Sequence, residues 1–388
     1  MGYYGILCRF SKGGQKMNIM NAVSRWRSGK EIPRLAPFPA ILTIFTLLVC
    51  VLPFGTGFAG YTSFAACAVG VAFVICMSRS VSASLCVCLP AAFMFLITES
   101  FILPAIFISA AVTVGAGAFL VNTSRSYYLL WLIPAAYAAS LAVGHDWKLA
   151  FLCIIALPPV IALSKATYTG RSRLSAICST SFAFFASIFA LTVALFIAYD
   201  LSFALDMLRA YTDALRDTVT YFIADVIEAN KEIFDRAGIT AKDCANALLA
   251  LMPAAIVCTV NYLSFAAQKI NISLMKNLGF SDFVSKNNSR FIMSSASGYV
   301  FLISAAVVVL CSYLGGIELM ETAENLVMIL TPGLLLVGLL KIFGKYGEPR
   351  KNVLMIALTS VCAFLYPTGA ILMLSGVGAF TVTSHKDI

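Results

Sequence analysis

Polar side chains are rare inside the apolar runs of this 388-residue chain, and these few residues are the candidates for chemistry. Asn261 and Tyr262 interrupt an apolar run that also carries Pro253. A buried amide needs hydrogen-bond partners, so Asn261 either joins helices or faces a ligand, and joining helices is favoured. Glu99 lies between two apolar runs, either as an intramembrane carboxylate or, as we favour, as an exposed turn residue. These four residues are therefore predicted to face a solute or to pack helices together.

Prolines interrupt several of the apolar runs. Each proline frees a backbone carbonyl, which a neighbouring group must satisfy or which lines a cavity. Broken spans mark the binding sites of transporters, although isolated prolines are also common in membrane helices. The prolines in question are Pro134, Pro158, Pro159, Pro253 and Pro332.

Four alanines recur at every fourth position of one run, at Ala186, Ala190, Ala194 and Ala198. This spacing places them on one stripe of a helix, where small side chains allow another helix to approach closely. Packing within the chain is the favoured interpretation, and docking of a partner subunit is the alternative.

The sequence contains no signature of an enzyme, a metal site or a nucleotide site. The motifs H-E-x-x-H, G-x-S-x-G, the P-loop and G-x-G-x-x-G between a strand and a helix are missing. The 12 cysteines are scattered, mostly in apolar runs, and there are only two histidines. We therefore predict no catalytic residue, no metal and no cofactor.

The composition places the chain in a membrane. Apolar residues make up 60% and charged residues 12% of the sequence, against roughly 25% charged residues in soluble domains. We predict an all-α, polytopic bundle of ten or eleven transmembrane helices in a cell membrane. The candidate spans are 38–54, 57–77, 83–98, 101–121, 127–143, 148–164, 174–199, 246–268, 291–314, 325–343 and 353–380, the last with a possible break at Pro367.

A polar stretch divides these spans into an N-terminal bundle, 38–199, and a C-terminal group, 246–388. The stretch, 200–245, is predicted to hold a long extracytoplasmic amphipathic helix, because apolar residues recur at threes and fours from Leu201 to Ile233. Its polar faces are acidic, which favours a cap on the bundle over a helix lying on anionic lipid.

The distribution of positive charge orients the spans. With the basic segment 1–37 in the cytoplasm and the spans alternating, 20 of the 27 Lys and Arg residues fall on the cytoplasmic side. This asymmetry explains the net charge of +9 without nucleic-acid binding. A break at Pro367 would reverse the side of the C-terminus.

The C-terminal half has a distinctive order of segments. An acidic amphipathic helix is followed by ALLALMPAAIVCTVNYLSFAAQKINISLMKNLGF at 247–280, GLLLVGLLKIFGKYGEPRK at 333–351 and the terminus LSGVGAFTVTSHKDI. This order resembles the YybS-like family of uncharacterised bacterial membrane proteins, with matching positions at Pro253, Asn261, Tyr262, Gly279, Gly338, Gly376 and His385 to Asp387. The family is distantly similar to the substrate-binding S components of energy-coupling-factor (ECF) transporters, which is a likeness of fold only.

Two functions follow as expectations. The first is a transport or solute-binding component that binds a small molecule in the bilayer. The alternative is a non-catalytic envelope scaffold with fixed membrane-protein partners.

Overall fold

A computed structural model of the chain describes residues 59–123, 157–198, twelve positions between 205 and 228, 240–281, 284–285, 291, 293–343 and 353–384. Within these ranges the fold is all-helical, with eleven α-helices. The predicted segment 1–37, the spans 38–54 and 127–143 and the terminal residues 385–388 lie outside the described residues. The chain divides into two compact units, unit 1 with residues 1–191 and 261–290, and unit 2 with residues 192–260 and 291–388.

Unit 1 contains the first helices of the described chain: α1 (Ala59–Phe73) with a π-helical turn at Val74–Ser78, α2 (Val81–Thr98), α3 (Ile102–Thr123), α4 (Leu157–Tyr168) and the start of α5 (Arg173–Ala198). Ser80 caps α2 by accepting a hydrogen bond from the Ala83 N–H. Glu99 ends the same helix in a left-handed conformation, φ 49°, which turns the chain directly into α3.

The core of unit 1 is helix α3. Of its segment Leu103–Asn122, 83% is buried, because α1, α2 and α4 all pack against it. A helix that is apolar all round belongs inside a bundle, and α3 is such a helix. Small residues such as Ala111 and Ala116, both fully buried, let these neighbours approach.

Unit 2 contains the remaining helices: α6 (Ala241–Ala250), the first part of α7 (Met252–Asn277), α8 (Ser295–Leu314), α9 (Ile317–Ile342), α10 (Val353–Leu365) and α11 (Pro367–Ser384). Thr240 and Asp243 form a capping box that begins α6. Helix α11 packs against both α8 and α9, and glycines make these contacts close. A Cβ on Gly338 would collide with the Leu374 carbonyl, and one on Gly378 with the Leu334 carbonyl.

Five of the described helices are long and apolar enough to cross a membrane, and the count is six if α6 and α7 form one span bent by 46°. The segments are Leu103–Asn122, Arg173–Ala190, Ser295–Leu314, Glu318–Ile342 and Pro367–Ser384. Large apolar side chains are exposed on them, including Ile303, Tyr313 and Leu314 of α8. Such surfaces are compatible with a lipid environment.

The helix ends differ from the predicted span ends most at two positions. Helix α7 continues to Asn277, nine residues beyond the predicted end at Gln268, and α9 begins at Ile317 instead of 325. Polar residues such as Lys269 and Glu321 lower the hydropathy of both extensions, so the sequence predicted loops there. A helix nevertheless accepts polar side chains wherever they reach a hydrogen-bond partner or solvent. The final apolar stretch is broken at Tyr366, directly before Pro367.

The described positions between 205 and 228 are helical, as the periodicity predicts for this part of the polar stretch. Exposed ion pairs link successive turns, Asp206 with Arg209 at 3.7 Å and Asp213 with Arg216 at 3.9 Å. Leu205 is 40% exposed. The other apolar residues of the predicted stripe lie outside the described residues.

Candidate functional site

Three buried polar residues of α7 share one face of the helix in unit 1. Ser264, Gln268 and Asn271 follow one another at spacings of four and three, which places them on a single stripe. All three are at most 2% exposed. Polar residues buried between apolar helices are costly unless they find hydrogen-bond partners, so this stripe needs an explanation.

Hydrogen bonds connect the stripe to the neighbouring helices. Ser181 of α5 lies 3.0 Å from Ser264, oxygen to oxygen, and the Asn271 amide donates to the Thr167 hydroxyl of α4 at 2.9 Å. One turn earlier on α4, the Ser164 hydroxyl donates to the Asn122 side-chain oxygen of α3 at 2.7 Å. We call this set the polar seam: Asn122, Ser164, Thr167, Ser181, Ser264, Gln268 and Asn271.

Helix α3 contacts α7 closely at Gly115, which has no side chain to separate the two helices. A Cβ on Gly115 would lie 2.7 Å from the Ala267 carbonyl and 2.9 Å from the Ile270 Cβ. Only glycine allows this approach, because no real Cβ lies that close to backbone. Gly115 therefore fixes α3 against the turn of α7 that carries Gln268.

The polar seam is incompletely satisfied. The Gln268 Oε1 and the Asn271 Oδ1 are buried acceptors without a hydrogen-bond partner among the described residues. On α3, the hydroxyls of Ser109 and Thr113 and the Asn122 Nδ2 are also buried without a hydrogen-bond partner among the described residues. An unsatisfied buried polar atom costs about 1–3 kcal/mol, and native proteins retain few of them. The two carbonyl oxygens of α7 are suited to accept hydrogen bonds from hydroxyl, amide or ammonium groups of a guest molecule.

The predicted residues Asn261 and Tyr262 lie on α7 beside the seam but outside its buried stripe. Asn261 is half-buried and Tyr262 is 38% exposed. The Tyr262 ring lies 6.2 Å from Phe107 and 5.9 Å from Phe265, between ring centroids. Its hydroxyl lies beside the Cys86 thiol of α2. The structure thus places Asn261 and Tyr262 on the helix that carries Ser264, Gln268 and Asn271.

Glu99 is exposed at the turn between α2 and α3. In the alanine stripe, Ala186 and Ala190 are exposed on α5. The side chains of Ala194 and Ala198 lie outside the described residues.

Pro253 lies at the break between α6 and α7 in unit 2. Across this break the helical hydrogen bond from Ala254 to Ala250 is replaced by the side-chain amide of Asn325 on α9. The Ala254 N–H donates to Asn325 Oδ1 at 3.1 Å, and Asn325 Nδ2 donates to the Ala250 carbonyl at 2.8 Å. The backbone groups left open at this bend are therefore satisfied by a neighbouring helix.

Pro332 of α9 has a similar neighbour. It has no N–H to donate to the Met328 carbonyl one turn earlier. The Cys258 thiol of α7 donates to that carbonyl at 3.5 Å. In unit 2, the Asn325 side chain of α9 thus bonds backbone groups at the break before α7. In return, the Cys258 side chain of α7 bonds the backbone carbonyl that Pro332 leaves open in α9.

Among the described residues, no three His, Cys, Asp or Glu side chains lie together as a metal site would require. The described cysteines are free thiols.

The sequence pattern did not identify Gln268 and Asn271 as site residues. Both lie at or beyond the predicted end of the span, where polar residues are expected in a loop. The spacing of Ser264, Gln268 and Asn271 on one helical face was the available signal.

Comparison with models of known families, with curated proteins and with solved structures finds no match to this chain. The resemblance to the YybS-like family accordingly stays a prediction.

Proposed function

We propose that the chain is a polytopic cell-membrane protein that binds a small polar solute at the polar seam, as a transport or solute-binding component. The observation that carries the proposal is the pair of buried, unpartnered oxygens on one stripe of α7, Gln268 Oε1 and Asn271 Oδ1. Polar groups at depth in a membrane bundle generally serve function, because the bilayer offers them no water. A solute with hydrogen-bond donors would complete both amides.

The proposed topology has ten or eleven spans with the N-terminus in the cytoplasm. The excess of Lys and Arg in alternate loops supports it. A contact in unit 1 agrees, since the Asn277 amide of α7 donates to the Met77 carbonyl at 2.8 Å. Both residues lie at ends of spans that the charge pattern assigns to the cytoplasm. A bacterial origin and the likeness to ECF S components belong to this proposal through the YybS-like resemblance.

The test is a thermal-shift screen of the purified full chain against a broad set of polar metabolites. A ligand that binds only the folded protein at 100 times its Kd stabilises it by about 2.7 kcal/mol, which is a measurable shift in Tm. We expect at least one compound to raise the Tm of the wild type and not that of Asn271→Leu. If no compound shifts the wild-type Tm, the solute-binding proposal fails.

A scaffold function is the second candidate, and the exposure of Ala186 and Ala190 on α5 favours it. Small exposed side chains on one stripe suit close docking of a partner helix. Ala190→Leu would then leave the chain folded but abolish retention of a partner from native membranes. Phe189→Leu, at an exposed neighbouring position, is the control. If neither change alters what is retained, the stripe faces lipid.

A further inference from the structure

We propose that unit 1 contains an anion-binding site formed by Arg173 of α5 and Lys269 of α7, which takes a phosphate or carboxylate group. This site is distinct from the unpartnered amide oxygens of the polar seam and does not depend on the proposed solute function.

A hydrogen bond of the seam holds α7 against the end of α4, which leads into the start of α5. Asn271, two residues after Lys269, is bonded to Thr167 near the end of α4. The chain then turns, with the Arg171 N–H bonded to the Ala166 carbonyl at 3.1 Å, and enters α5 at Arg173. The charge of Arg173 acts on Lys269, and both charges act on the Cys86 thiol, while Lys276 also acts on Lys269.

The Lys269 side chain points back along α7. Its Nζ lies 5.6 Å from the centroid of the Phe265 ring, one turn before it. A lysine near the end of a span ordinarily extends toward the interface to reach water. Here the ammonium lies over an aromatic ring, which attracts a cation but does not neutralise its charge.

No carboxylate balances the two cations in the part of unit 1 that the structure describes. Its single described carboxylate, Glu99, lies 13 residues after Cys86 along α2, which is about 20 Å at the rise of an α-helix. Among the same residues, the buried Arg173 Nε has no hydrogen-bond partner. Two half-buried cations without a counter-charge among the described residues repel each other, so an anion between them would be strongly favoured.

Arg173 stands at the start of α5, where a helix has backbone N–H donors. Ser172 caps the helix by accepting a hydrogen bond from the Ser175 N–H at 3.4 Å, and Arg173 is the first helical residue. Free backbone N–H groups in the first turn of a helix favour anions. Arg173 can bind two oxygens with its planar guanidinium, and Lys269 supplies a point charge. This donor set fits a phosphate or a carboxylate, whether it belongs to a lipid headgroup or to a free anion.

Two titrations of the full chain distinguish these sources. In the first, the protein is placed in phosphatidylcholine nanodiscs and inorganic phosphate is added at an ionic strength held constant with sodium chloride. In the second, phosphate is omitted and phosphatidylglycerol replaces phosphatidylcholine stepwise, with retained lipid counted by native mass spectrometry. We expect a saturable rise in Tm with phosphate, or retention of one or two phosphatidylglycerol molecules. The proposal is overturned if the wild type responds in neither titration.

Matched variants locate the response. Arg173→Gln and Lys269→Gln should each weaken binding roughly ten- to hundredfold, because each removes a charged hydrogen-bond donor. Lys165→Gln, at an exposed position of α4, should leave it within about twofold. An equal loss in Lys165→Gln would show a diffuse positive surface and would contradict a site. If Arg173→Gln does not fold, Arg173→Lys, which keeps the charge, must retain phosphate or lipid binding that Lys269→Gln loses.

Gln268→Met should keep the anion response, so that failure of the solute site and failure of the anion site are separable.

Discussion

At the scale of single residues, Asn325 makes the most specific prediction about stability. Its amide occupies both halves of the interrupted hydrogen bond between Ala250 and Ala254. Asn325→Leu would leave a part-buried N–H and carbonyl without partners, at about 1–3 kcal/mol for each group. We expect the free energy of unfolding in detergent to fall by roughly 2–4 kcal/mol.

Thr322→Ala is the control for Asn325→Leu. Thr322 is exposed on the same helix, and its hydroxyl bonds only to the Glu318 carbonyl of its own helix. Its loss should change the unfolding free energy by less than about 0.5 kcal/mol. Equal losses in the two variants would contradict the bridging role of Asn325.

For Gln268 we expect the opposite effect on stability: without ligand, its substitution should not destabilise the protein. Gln268→Met keeps the length of the side chain and removes a buried carbonyl oxygen that has no partner. The ligand-free Tm should therefore be unchanged or higher, while stabilisation by solute is lost. Thr259→Ala, at an exposed position of α7, should change neither quantity. A large fall in the ligand-free Tm of Gln268→Met would mean that the side chain only supports the fold.

Residue chemistry could be predicted from the sequence only in part. The prolines predicted that freed backbone groups need partners, but nothing in the spacing of residues identified Asn325, which is 72 residues after Pro253. The same holds for Thr167, because buried partners come together through helix packing that a linear pattern does not contain. Asn261 and Tyr262 were predicted as site residues because they interrupt an apolar run, whereas the buried polar stripe begins at Ser264.

At the scale of elements, glycines of unit 2 predict which helix crossings are close. Gly338 of α9 lies against the backbone of α11, so Gly338→Ala must separate the two helices. Gly376, on α11, has nothing within 4 Å of a Cβ built on it. We expect Gly338→Ala to lower the unfolding free energy by about 1–3 kcal/mol. Gly376→Ala should be neutral or slightly stabilising, since alanine is the better helix former.

Unfolding of the two variants in a mild detergent, followed by circular dichroism, measures this difference. If Gly338→Ala is no less stable than Gly376→Ala, helices α9 and α11 do not make the close contact described.

Hydropathy predicted helical elements well where apolar runs are bounded by turn residues. The predicted spans 83–98, 101–121 and 174–199 correspond to α2, α3 and α5 to within two residues. It failed at the ends of α7 and α9, where polar residues continue a helix that hydropathy alone would end. The π-helical turn at Val74–Ser78 and the bend of 46° between α6 and α7 were not anticipated, because both depend on local hydrogen bonding.

At the scale of the whole molecule, the topology gives a prediction for two reporters on α6 and α7. Cys244 of α6 should lie outside the membrane, and Lys276→Cys of α7 should lie in the cytoplasm. In an otherwise cysteine-free chain, an impermeant thiol reagent added to intact cells should label Cys244 but not Lys276→Cys. Labelling at Lys276→Cys should appear once the inner face is opened. The reverse pattern would overturn the proposed orientation.

The measurement that tests the central claim most directly is native mass spectrometry of the full chain, released from gentle detergent without added ligand. If the polar seam holds a solute, the wild type should carry a small-molecule adduct of defined mass. The adduct should be absent from Gln268→Met combined with Asn271→Leu and present in Thr259→Ala. A folded wild type that carries no adduct, or an adduct that survives both seam substitutions, would contradict the claim.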